Sequence, residues 1–195
     1  MRSKAKISIA LLAAAVIAAI LIWRMRPTPP PPVVREALRS DLVFKDGAVY
    51  VKDTTNLFTG LMLEKYRDGA MQSRSELKDG HLDGLSEGWH PNGVKQIEEH
   101  FANGVSNGLR VKYHPNGQKQ SEATIVNGKI EGTFKRWHEN GELAEEIRMS
   151  NGVPEGVSIA YYPSGFLKAR ATVQGGKAID QKFWKDGEER ASTNQ

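Results

Sequence analysis

The chain contains no cysteine in 195 residues, which excludes disulfides, thiolate metal sites and a cysteine nucleophile. Aromatic residues are few, at 8 %, so platforms for stacking bases or sugars must be few as well. A genuine excess of one charge is also missing. The formal charge is +4. However, Arg2, Lys4, Lys6, Arg24 and Arg26 all fall in the first 26 positions, which hold no acid. The rest of the chain carries 22 basic against 23 acidic residues, a net of −1. A general nucleic-acid binder needs a basic face, and the basic surplus here belongs to a targeting segment instead. The length allows one domain, or one repeat array with a tail.

One long apolar run is present. Ile7 to Trp23 is 17 residues with a single serine and no charge, and as a helix it would extend roughly 26 Å. Arg2, Lys4 and Lys6 precede it, and Trp23, Arg24 and Arg26 supply an aromatic and two cations suited to a membrane interface. The small residues Ala13-Ala14-Ala15, which a signal peptidase would need, lie mid-run, and the far end is bulky. The run therefore reads as an uncleaved anchor. The cationic bias favours a cytoplasmic amino terminus, a single pass through the inner membrane and a periplasmic body in a bacterium. Residues 27–32 read PTPPPP, a semi-rigid polyproline spacer. The expected organisation is a basic flank at 1–6, an anchor at 7–23, a linker and transition at 24–40, a repeat domain at 41–190 and a tail at 191–195.

The body is dominated by self-similarity. HPNG at His90 to Gly93 returns at His114 to Gly117, as HENG at His138 to Gly141 and as YPSG at Tyr162 to Gly165, each 24 residues on. YRDG at Tyr66 to Gly69 is one step earlier. A second glycine series keeps the same period: Gly80/Gly84, Gly104/Gly108, Gly128/Gly132 and Gly152/Gly156. A worn copy begins near Asp41, and another closes at Asp186-Gly187, two residues early. A fixed period of this length marks a repeat array.

Each unit holds two alternating runs. Leu85, Glu87 and Trp89 recur as Leu109, Val111 and Tyr113, and as Val157, Ile159 and Tyr161. The second run places Leu77, Phe101, Ile125, Met149 and Val173 in one column, beside polar Glu98, Glu122, Glu146 and Arg170. Period-2 alternation is the mark of half-buried strands, and Asn-Gly and Asp-Gly supply the positive φ of tight hairpin turns. The expected fold is all-β: an elongated antiparallel meander of 24-residue β-hairpin repeats, about twelve strands and ~55 Å across. One face is expected to carry the apolar columns and the other to be polar.

Residues 41–190 resemble the MORN-repeat-variant proteins, and within them the YwqK-type antitoxin family. The resemblance rests on DGAVYVKDTTNLFTG at Asp46 to Gly60, on Trp89-His90-Pro91-Asn92-Gly93 with its copies, and on the NGxxxG links such as Asn127 to Gly132. It implies toxin neutralisation through a protein partner. The membrane anchor and proline spacer depart from the simplest form of that family, and place such a role outside the cytoplasm.

The chemical motifs favour binding over catalysis. His90, His114 and His138 suggest a metal ladder, but equivalent positions two strands apart are separated by roughly 9.6 Å, and zinc needs ligand atoms within ~2.1 Å. They read as residues flanking turns. Gly104 to Gly108 spells GxSxG around Ser106, yet a nucleophile elbow needs a helix to follow, and here a strand does. The aromatic column of Trp89, Tyr113, Trp137 and Tyr161 reads as structural cover, and Gly93, Gly117, Gly141 and Gly165 as turn glycines. The polar side chains Arg74, Glu98, His100, Glu122, Glu146, Arg148 and Arg170 are the candidate partner-binding face. No enzyme activity, cofactor, metal, nucleic acid or small-molecule substrate is expected. The expectation is a non-catalytic immunity protein or antitoxin, with an envelope scaffold or a lipid-contacting docking module as the alternative.

Overall fold

The computed structural model describes residues 34–189. The anchor, the proline run and the tail lie outside them, and among the described residues no helix is long and apolar enough to cross a membrane. Fourteen strands follow one another: β1 Glu36–Leu38, β2 Leu42–Lys45, β3 Ala48–Val51, β4 Gly60–Lys65, β5 Met71–Lys78, β6 His81–Trp89, β7 Lys95–Ala102, β8 Val105–Tyr113, β9 Lys119–Val126, β10 Lys129–Trp137, β11 Leu143–Ser150, β12 Val153–Tyr161, β13 Leu167–Gln174 and β14 Lys177–Phe183. Twelve of them form one sheet in the order β1-β4-β5-β6-β7-β8-β9-β10-β11-β12-β13-β14. From β4 onward every neighbour is antiparallel and consecutive in sequence, as the hairpin repeat requires.

Two features depart from the expected meander. The worn first copy forms its own two-stranded sheet, β2 with β3, turning at Asp46-Gly47. The sheet proper opens with β1, inside the segment read as linker and transition. It lies parallel to β4, with Ala37 opposite Met62. A parallel pair cannot be joined by a tight turn, and here the β2–β3 hairpin is part of the connection. That hairpin covers the start of the sheet. Leu42, Val49, Phe58 and Leu77 make a buried cluster, joined by Ala37, Val51, Met62 and Leu82. The Val49 N–H donates to the Gly80 carbonyl, and the Phe58 N–H donates to the Val49 carbonyl, at 2.8 and 2.9 Å.

The turns explain the repeat. At one rim, Asp79-Gly80, Asn103-Gly104, Asn127-Gly128 and Asn151-Gly152 all have both residues at positive φ, for example 47° at Asn103 and 80° at Gly104. This is the backbone twist that two-residue hairpins demand. Each turn is also tied to the unit before it: the Gly104 N–H donates to the Leu82 carbonyl, Gly128 to Ser106 and Gly152 to Ile130.

The other rim uses side chains. The His90 Nε2 lies 2.9 Å from the Tyr113 carbonyl, His114 Nε2 2.9 Å from that of Trp137, and His138 Nε2 3.0 Å from that of Tyr161. A carbonyl only accepts, so Nε2 carries the proton in each ring. The Tyr66 hydroxyl donates to the Trp89 carbonyl at 2.6 Å, and the Tyr162 hydroxyl donates to that of Trp184 at 3.1 Å. The asparagines extend the ladder: Asn92, Asn116 and Asn140 donate through Nδ2 to the carbonyls of Pro115, Glu139 and Pro163. The histidines of the HPNG motif are thus clasps between units. Each holds the main chain of the aromatic in the next one.

Candidate functional site

The two apolar columns do not share a face. Residues directly paired between neighbouring strands project to the same side. The register pairs Glu98 with Val111, Val111 with Glu122, Glu146 with Ile159 and Ile159 with Arg170. The column of Val111 and Ile159 therefore lies with the polar column, opposite the side carrying Leu77 and Ile125. The cause is parity. A two-residue turn pairs Ala102 with Val105, so even-numbered residues of one strand face with odd-numbered residues of the next. Each face ends up mixed.

On the face of Glu98, one row of pairings crosses the entire sheet: Leu38, Leu63, Arg74, Glu87, Glu98, Val111, Glu122, Lys135, Glu146, Ile159, Arg170 and Lys182. Five of the expected partner-face residues, Arg74, Glu98, Glu122, Glu146 and Arg170, stand in it. His100 and Arg148 lie one pleat further along the same face, and Arg148 is opposite Thr133.

Most of the row is electrostatically satisfied. The Lys95 Nζ donates to Glu87 Oε1 at 2.7 Å and to Glu98 Oε2 at 3.0 Å, bridging two carboxylates paired directly across strands. The hydrogen bonds to Glu87 and then Glu98 hold the Lys95 ammonium above the usual lysine range, against a weaker effect of burial. Lys119 pairs with Glu122 at 2.6 Å and Lys135 with Glu146 at 3.5 Å. Burial, together with the Glu146 carboxylate, pushes the Tyr161 phenol up. These counter-ions were not among the expected site residues. Their signal was present in the sequence, since Lys95 and Lys119 each stand three residues before a row carboxylate. The aliphatic stems of such side chains cover apolar neighbours on an otherwise open face, and Val111 is buried there.

Three arginines differ. Arg74, Arg148 and Arg170 have no carboxylate within ion-pair distance among the described residues. Arg148 and Arg170 line an open hollow of about 640 Å³ together with Val157, Ile159, Glu146 and Thr133. His100 spends Nδ1 on the Leu109 carbonyl at 3.3 Å.

The opposite face holds the GxSxG serine. The Ser106 hydroxyl donates to Glu99 Oε1 at 2.5 Å, and the same oxygen receives Arg110 Nε at 2.8 Å. Ser106 lies within β8 rather than at a strand-to-helix turn. Among the described residues no three histidine, aspartate or glutamate side chains gather as a metal site.

The geometry defines a class: a single-layer array of β-hairpins held together by neighbour contacts, with a mixed charged and apolar row running across one face. The model of the MORN repeat variant matches three successive stretches of this chain, residues 82–103, 106–127 and 130–151. Each stretch is a hairpin of the central sheet: β6 with β7, β8 with β9, and β10 with β11. No curated protein matches the chain.

Proposed function

We propose that this array is the binding surface of a membrane-anchored, non-catalytic immunity protein or antitoxin, which holds a toxic protein partner inactive by occupying its working surface. One observation carries the reading. In a row whose carboxylates and lysines have counter-ions, Arg170 is left without one among the described residues, as are Arg74 further along it and Arg148 one pleat away, and Arg148 and Arg170 line the same hollow as Val157 and Ile159. Unpaired guanidiniums around a hydrophobic patch suit a protein surface that offers carboxylates around an apolar anchor. Arginine forks bind carboxylates in two-point geometry, and anchors in desolvated pockets dominate interface energetics. A stable interface takes roughly 800 Å² from each partner.

The test is co-expression with the product of the neighbouring reading frame. Protection from growth arrest is expected with the wild-type chain, and its loss with Arg148→Glu/Arg170→Glu. Growth arrest that persists with the folded wild-type protein, or protection that survives the double reversal, would count against the reading.

A second reading has its own observation. Lys135, Arg148, Arg170 and Lys182 share one face, and polybasic surfaces draw anionic headgroups. A lipid-contacting module would float with phosphatidylserine vesicles and stay behind with phosphatidylcholine vesicles, whether or not the neighbouring gene product was made.

A further inference from the structure

The last strand of the sheet is open. Every strand from β4 to β13 has a neighbour on both sides, whereas β14 pairs with β13 alone. All seven of its residues are exposed, with Ile179 at 64 % and Phe183 at 67 %. Among the described residues the chain after β14 does not pair along its outer edge. Instead, the Trp184 N–H donates to the Lys168 carbonyl, and the Leu167 N–H donates to the Glu189 carbonyl, both towards β13. A row of free N–H and C=O groups bordered by large apolar side chains is a template for another strand.

The strand carries its own complement. Residues 179–183 read Ile-Asp-Gln-Lys-Phe. Laid antiparallel against an identical strand and centred on Gln181, the order places Gln181 opposite its own copy. Asp180 then faces Lys182 of the second copy, and Ile179 faces its Phe183. Each of these pairs occurs twice. Opposite charges and apolar pairs across strands stabilise an antiparallel ladder, and like charges oppose it. Shifting the centre to Asp180 would set two carboxylates against each other. Asp180 has no ion-pair partner among the described residues, and Lys182 is held only by Glu189 at 3.8 Å and by the Trp184 ring at 4.6 Å. Both are available to a second copy. Ile179 has no register partner on β13, because the pairing passes from Ala178 to Asp180.

We propose that two copies of this chain associate through their β14 strands, antiparallel about Gln181, and so join two twelve-stranded sheets into one. The interface is isologous and closed, since the same strand serves both copies and neither β14 edge is left free.

The absence of cysteine makes the test direct. In the full-length chain in detergent, Gln181→Cys is expected to form an interchain disulfide under mild oxidation, because its nearest counterpart is its own copy. Lys177→Cys, on the same exposed strand, is expected not to. Asp180→Lys and Lys182→Asp alone are each expected to weaken association roughly tenfold in sedimentation experiments, and the double exchange is expected to restore it. These positions are exposed, and unchanged circular dichroism would show that the variants fold. Four results would overturn the proposal: a monomeric wild-type chain, equal cross-linking at 177 and 181, no cross-link at 181, or an exchange that fails to restore association. Dimerisation driven by the anchor would ignore the charge exchange, and occupation of the β14 edge by residues 190–195 would leave Gln181→Cys uncrosslinked.

Discussion

The two ends of the sheet are built on opposite principles. At the first end a hairpin folds across one face, and Phe58 is completely buried between it and the sheet. At the last end nothing in the described chain covers β14, and Phe183 is two-thirds exposed. Between them a single layer relies on ladders, rim clasps and ion pairs, with little three-dimensional core. Buried apolar packing is concentrated at the first end. In a quasi-one-dimensional array, each unit leans on its neighbours, and the buried cluster of Leu42, Val49, Phe58 and Leu77 lies at the capped beginning. The open end has little to lose as a single chain and more to gain from a partner.

Substitutions at the two ends test that contrast. The largest effect is expected from Phe58→Ala, which should cost about 3–5 kcal/mol in denaturant unfolding, because it empties the centre of the buried cluster under the first hairpin. Gly60→Ala comes next. Gly60 has φ of 143°, and an added Cβ would lie 2.1 Å from the Arg35 carbonyl oxygen, a backbone atom that cannot swing away. The expected loss is about 2 kcal/mol, with β1 released from β4, since the Leu61 N–H donates to that same Arg35 carbonyl at 2.8 Å. His114→Ala removes one clasp from the middle of the array, and about 1 kcal/mol is expected, read as a lower midpoint with the fold intact. Phe183→Ala should change the stability of the dilute monomer by less than about 0.5 kcal/mol. If Phe183→Ala proved as costly as Phe58→Ala, the described difference between the ends would be false.

Much of the fold was legible because its signals are local. Asn103-Gly104 and its copies name the turn, and the alternation of Leu109, Val111 and Tyr113 names the strand. The 24-residue period names the array. The candidate face was legible in part: Arg74, Glu98, Glu122, Glu146 and Arg170 do align. The error lay in grouping columns by apolar character. Val111 and Ile125 look alike in the sequence, but the parity of a two-residue turn sends them to opposite faces. The Asp41 copy was legible as a hairpin, though not as a lid. Its residues alternate as the others do, and only the contacts of Val49 and Phe58 with the Gly80 turn set it outside the main sheet. His90, His114 and His138 are recognisable in the sequence as turn-flanking residues, whereas their carbonyl partners, 23 residues away, are not.

Taken alone, the order of residues determined the hairpin, its period and its turn chemistry, because these depend on atoms within a few residues of one another. Register across the sheet, the folding of the first hairpin over one face, and the survival of two unpaired arginines beside an apolar hollow were decided by tertiary structure. Those outcomes depend on which distant backbone groups and carboxylates come within reach, and that is a property of the assembled sheet.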